Sequence, residues 1–123
     1  MRIEVELQMA PGDMPAGVDP FVFALNMQNE LLKIGQMLRQ EYPRRDETRQ
    51  RKFSQIGVRA ITAAIQYSLR RGGLQTRKVE GPLRTGGVFR FRIVSQNHGP
   101  EDSTRTVGVD VDNNGARAWT RAQ

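Results

Sequence analysis

The chain has no cysteine, which excludes a disulfide framework, a thiolate nucleophile and any cysteine-ligated zinc or iron–sulfur site. Histidine is nearly absent too. His98 stands alone in a polar Gln-Asn-His-Gly-Pro-Glu-Asp loop, so no second imidazole can complete an acid–base pair. No apolar run approaches the roughly 20 residues a membrane-spanning helix needs. The N-terminus opens on an alternating pattern rather than the apolar core of a signal peptide. A Ser-centred elbow, a P-loop and a G-x-G-x-x-G turn are all missing. These absences lead us to expect a soluble, cytoplasmic protein without membrane association, metal or cofactor, and with no catalytic residues to assign.

What is abundant is arginine: sixteen of the nineteen basic residues, the lysines being Lys33, Lys52 and Lys78. The formal net charge is +6 over 123 residues. It is segregated. Residues 44 to 92 hold thirteen Lys and Arg against three acids (Asp46, Glu47, Glu80), a net +10, whereas residues 1 to 43 sum to −3 and 93 to 123 to −1. Charge segregated in this way attracts polyanions, and the planar arginine fork suits phosphate.

The length is that of a single domain spanning residues 1–123. Arg2 to Met9 alternates strictly, with Ile3, Val5, Leu7 and Met9 on one face, and reads as a half-buried strand. Two prolines and two glycines make residues 10–18 a loop. Asp19-Pro20 is a helix start, Asp as N-cap and Pro at the first turn, and Pro43 limits that helix to about Glu41. Its apolar stripe is Ala24, Met27, Leu31, Ile34 and Leu38, widened by Phe21, Leu25 and Leu32.

A second helix opens near Pro43 or Asp46 and closes at Arg70-Arg71, with Gly72 supplying the left-handed cap. Its first half is polar and basic, its second half apolar nearly all round. Strands follow at 74–79, ended by Glu80-Gly81-Pro82, at 88–94 and around Val107–Val111. Asn114-Gly115 marks a two-residue hairpin that sets Asp112 opposite Arg117 and Asp110 opposite Trp119. The order β-α-α-β-β-β-β predicts an α+β fold, an antiparallel sheet with a long helical hairpin packed on one face. The helices outreach the strands, and that overhang, with Met27 and Met37, suggests a homo-oligomer.

Two clusters stand out as nucleic-acid-binding candidates. Arg44, Arg45, Arg49, Arg51 and Lys52 crown the second helix; their spacing distributes cations over more than one side. Arg90, Arg92, Arg117, Trp119 and Arg121 share the outer sheet face if the last three strands are neighbours, cations for phosphate around a ring for base stacking. The alternative for Trp119 is that it covers Gly108 across the strand pair. Asp110-Val-Asp112-Asn-Asn114-Gly115 matches the opening of an EF-hand loop, but its twelfth position is Arg121, where a bidentate Glu is required; a hairpin accounts for the same residues.

The element order, with Lys78-Val-Glu-Gly81 and Phe89-Arg-Phe-Arg92, also resembles RelE-type ribosome-dependent toxins over about half the chain. The helices here are longer than in that family, and the C-terminal Tyr or His of many members has no equivalent beyond Trp119. That resemblance implies a metal-independent endoribonuclease with Arg90, Arg92 and Lys78 stabilising charge and His98 as base. The main expectation is a non-catalytic module for DNA, RNA or another polyanion; a homo-oligomeric assembly protein, such as a phage-particle component, is the alternative.

Overall fold

The computed structural model describes residues 1–40, 47–112 and 114–122, with the backbone alone for 47–56. Strand β1 (Arg2–Met9) leads through a 3-10 turn (Pro11–Asp13) to helices α1 (Pro20–Arg39) and α2 (Glu47–Gly72). Strands β2 (Thr76–Thr85), β3 (Val88–Ser95), β4 (Ser103–Asp112) and β5 (Gly115–Ala122) follow. The fold is α+β in the expected order, a five-stranded sheet with two helices packed on it. Asp19 caps α1 as its sequence requires, its carboxylate accepting from the Phe21 N–H at 2.7 Å.

The sheet is mixed rather than antiparallel. Its order is β2-β3-β1-β4-β5, with β1 parallel to β3 and antiparallel to β4. The expectation placed sequence neighbours side by side, the usual arrangement. Here the polar loop 96–102 carries the chain past the end of β1, so the N-terminal strand is inserted between β3 and β4. The apolar face of β1 explains why it takes the centre: Ile3, Val5 and Leu7 have no exposed surface, and flanking strands on both sides satisfy its backbone.

The core lies between this face and the helices. Phe23, Met27, Leu31 and Leu38 of α1 and Ile61 and Ile65 of α2 meet Phe89, Phe91, Ile93, Val107, Val109 and Val111. Met27 is thus core and not overhang, while Met37 is half-exposed. Phe21 and Leu25, expected in the stripe, stand 48% and 39% exposed; the stripe runs through Phe23 instead, and the Phe21 ring has the Arg105 guanidinium of β4 at 4.7 Å from its centroid.

Three local expectations are corrected. The left-handed residue after α2 is Gly73 (φ 65°), because Gly72 is the last helical residue and lies against the Phe23 ring. Strand β2 does not stop at Glu80: it continues through Gly81-Pro82 to Thr85 by a register shift between Glu80 and Leu83, tolerable because β2 is an edge. The β4–β5 hairpin turns one residue earlier than expected, which slips the pairing by two. Asp112 is opposite Gly115 and Asp110 opposite Arg117, since the Asp112 carboxylate accepts from the N–H groups of Asn114 (2.8 Å) and Gly115 (3.1 Å) and closes the turn itself. A slip of two residues preserves which face each side chain occupies.

Candidate nucleic-acid interface

Arg90, Arg92, Arg117, Trp119 and Arg121 do share the outer face of the sheet, but β1 and β4 lie between the two groups. In that register Glu4 stands beside Arg90 and Glu6 beside Arg92. The Arg90 Nε donates to Glu4 at 3.1 Å and the Arg92 Nε to Glu6 at 2.6 Å, with Glu80 3.6 Å from Arg92 on the other side. Arg2 binds Asp110 at 2.8 Å and Arg117 lies 3.3 Å from Asp112. The face therefore carries six cations (Arg2, Lys78, Arg90, Arg92, Arg117, Arg121) and five acids (Glu4, Glu6, Glu80, Asp110, Asp112), almost neutral.

The electrostatics follow from the contacts. Hydrogen bonding to Arg2 holds Asp110 below the ordinary carboxylate range, with help from the Trp119 indole. Lys78, and then Arg92, do the same for Glu80. Reciprocally, Glu6 raises the Arg92 guanidinium above its usual value and Asp110 raises that of Arg2.

Trp119 fills the space left by the missing side chain of Gly108: a Cβ there would lie 2.2 Å from the indole ring and 2.7 Å from the Ile3 carbonyl oxygen. Its Nε1–H donates to Asp110 at 3.2 Å, and the guanidinium groups of Arg2 and Arg121 lie 5.2 and 5.7 Å from the ring centroid. The ring is half-buried and flanked by two cations, so little of it is left for a base.

Helix α2 differs. Residues 44–72 hold eight Lys and Arg and two acids, a surplus of six that equals the formal net charge of the whole chain. Arg44 and Arg45 lie outside the described residues; Arg49, Arg51 and Lys52 are placed by backbone in the first two turns of α2. Positions 52, 59 and 70, spaced by seven and eleven, fall on one stripe of a 3.6-residue helix, about 27 Å long at 1.5 Å per residue. Arg59, Arg70 and Arg71 are exposed, and none has an acidic partner among the described residues.

Sequence reasoning overlooked Glu4 and Glu6, and it overlooked Arg59 and Tyr67. The signal for the glutamates was available: β1 alternates acids and β3 alternates arginines with the same period, as adjacent strands of opposite charge do. Tyr67, 50% exposed on α2, accepts from Arg71 Nη1 at 3.3 Å, and that guanidinium lies 6.0 Å from its ring centroid.

His98 sits in the β3–β4 loop with its backbone N–H on the Ser95 carbonyl at 3.2 Å. The Asp102 carboxylate of the same loop accepts from the Gly99 N–H at 2.7 Å. The Nε2 atom is buried without a partner. Among the described residues no helix is long and apolar enough to cross a membrane, and no group of three or more His, Asp or Glu could hold a metal ion. No protein-family model, curated protein or solved structure matches the chain.

Proposed function

We propose that the protein is a non-catalytic nucleic-acid-binding module whose contact surface is α2 and the segment leading into it, rather than the outer face of the sheet. The supporting observation is the location of uncompensated charge. On the outer sheet face Arg2, Arg90, Arg92 and Arg117 are held by carboxylates at 2.6–3.3 Å, whereas residues 44–72 carry eight Lys and Arg against two acids, a net +6. A row of cations along one helix meets successive phosphates, and release of condensed counterions drives association. The test is an anisotropy titration of labelled DNA and RNA at several salt concentrations. Log affinity should fall linearly with log salt, by about 0.7–0.9 per phosphate neutralised. No binding of either at 20 mM salt refutes the reading.

A second reading, self-assembly, draws on a different observation. Strand β5 is an eight-residue edge without proline or bulge, and Phe21 and Leu25 stand half-exposed on α1. Such an edge is open to pairing with a second copy, which β2, with its bulges and Pro82, is not. Light scattering across a hundredfold range of concentration checks it; a strict monomer throughout removes it.

A further inference from the structure

The solvent stripe of α2 ends beside a cavity of about 570 Å³, lined by α1, the loop before it and the last turns of α2. A volume of this order accommodates a small organic ligand. Phe23 and Met27, both almost fully buried, contribute its apolar lining, and Val22 and Tyr67, 47% and 50% exposed, contribute more. Two exposed hydrophobic side chains thus meet at one concave place. Ser68 lines it as well; this residue is only 7% exposed, and its hydroxyl is buried with no hydrogen-bond partner. The contrast with Thr62 on the same helix is instructive, since that hydroxyl donates to the Val58 carbonyl at 2.8 Å. A buried hydroxyl without a partner is uncommon and calls for a group that the chain does not supply.

The charges at the rim say what kind of ligand fits. Asp19 is engaged as the N-cap of α1, and Glu30 is paired with Lys33 at 3.2 Å. Arg71 donates to the Tyr67 hydroxyl and has no carboxylate partner among the described residues, so it is the cation of the rim left open to an anion. Asn26 and Asn29 add amides with both donor and acceptor atoms. A flat ring with hydrogen-bonding edges, attached to a single negative group, satisfies the aromatic surface, the amides, the hydroxyl and the cation together. That is a nucleotide.

Building on the proposed nucleic-acid-binding role, we infer that this cavity accepts one unstacked base of a single-stranded nucleic acid, laid against Tyr67, with Arg71 taking the adjoining phosphate. A duplex cannot offer that base without breaking a pair, so the cavity confers preference for single strands. The aromatic platform is then Tyr67 and not Trp119.

The experiment compares a labelled 15-nucleotide oligothymidine with a duplex of equal length at one salt concentration. The wild type should bind the single strand more tightly. Tyr67→Ala should weaken single-strand binding by about tenfold, the magnitude expected for one lost base–aromatic contact, and leave duplex binding within about twofold. Val22→Trp, which fills the cavity from an exposed position and keeps Tyr67, should do the same, and Trp119→Phe should do neither. Equal affinity for both nucleic acids, unchanged in Tyr67→Ala and Val22→Trp, overturns the inference and leaves the charged surface of α2 standing. Absence of binding to either nucleic acid overturns both. Circular dichroism confirms that each variant is folded.

Discussion

Arginine is concentrated in two regions of this molecule, the outer face of the sheet and helix α2, and the two use it differently. On the outer face each of the six cations except Arg121 has a carboxylate within 3.6 Å, drawn mostly from neighbouring strands. On α2, Arg59, Arg70 and Arg71 have none among the described residues. The same residue type thus knits strands together in one place and stays available in the other. Composition cannot distinguish these uses; the topology does, because inserting β1 beside β3 delivers Glu4 and Glu6 to Arg90 and Arg92. Exposed ion pairs of this kind contribute little each, about 0–1 kcal/mol, and their larger effect is to cancel the field of the face.

The sharpest way to break the comparison is to strip charge from α2. The triple variant Arg49→Gln, Arg51→Gln, Lys52→Gln should lose about a hundredfold in nucleic-acid affinity near 0.1 M salt and flatten the salt slope by about two to three. Arg90→Gln with Arg92→Gln, which removes one charge fewer but from the neutralised face, should change affinity by less than about threefold. If the sheet double loses as much as the helix triple, the contrast drawn here is wrong. Both can be read in the same anisotropy titration.

A smaller effect in the opposite direction should follow from unmasking the sheet. Glu4→Gln with Glu6→Gln leaves Arg90 without a carboxylate and Arg92 with Glu80 alone at 3.6 Å, and changes the face from one surplus positive charge to three. Affinity should rise by up to about tenfold, with a steeper salt slope, because the freed guanidinium groups then offer two further phosphate contacts. Unchanged binding would mean that the sheet face is turned away from the ligand altogether.

Most of the fold was legible because it rests on periodicity. The alternation of residues 2–9, the Asp19-Pro20 start and the strand around Phe89–Ile93 all appear where the sequence predicts them. The strand order was not legible, since apolar alternation says that a strand has one buried face but not which strand lies beside it. The complementary charges of Glu4 and Glu6 with Arg90 and Arg92 were the one clue to that adjacency. The hairpin register failed by two residues for a local reason: Asn114-Gly115 is a good turn pair, but the Asp112 carboxylate closes a turn one residue earlier. The cavity beside Tyr67 could not have been found from sequence, because it is formed by residues from 15 to 72 that only the packing of α1 against α2 brings together.

Trp119 tests the sheet side of the comparison by stability rather than affinity. Replacing it with Phe removes the indole N–H donated to Asp110 and uncovers part of Gly108. The loss should be about 1 kcal/mol in a denaturant titration, the usual net worth of one hydrogen bond and some packing. Nucleic-acid affinity should not move. A loss of affinity with unchanged stability would restore the indole as a binding platform and reverse the assignment made to Tyr67.

The subtlest difference between the two regions is in their response to acid. Three carboxylates are held below their ordinary range by native contacts. The Asn97 backbone N–H lowers Asp13 most, aided by the Ser95 hydroxyl and the Asn97 amide; Arg2 lowers Asp110; Lys78 lowers Glu80. A carboxylate depressed in the folded state stabilises it at every pH above the unfolded value, about 4, and that stabilisation is lost as pH falls through the lower, folded value. The melting temperature should therefore hold nearly level as pH drops from 7 to about 5 and decline below about 4. Two of the three groups, Asp110 and Glu80, belong to the outer sheet face, so Asp110→Asn should melt earlier than wild type at pH 7 and converge with it in acid. The α2 triple variant, which touches none of these groups, should track the wild-type curve at a constant offset. An Asp110→Asn curve parallel to wild type down to pH 2 would show that the Arg2–Asp110 pair contributes nothing to folding.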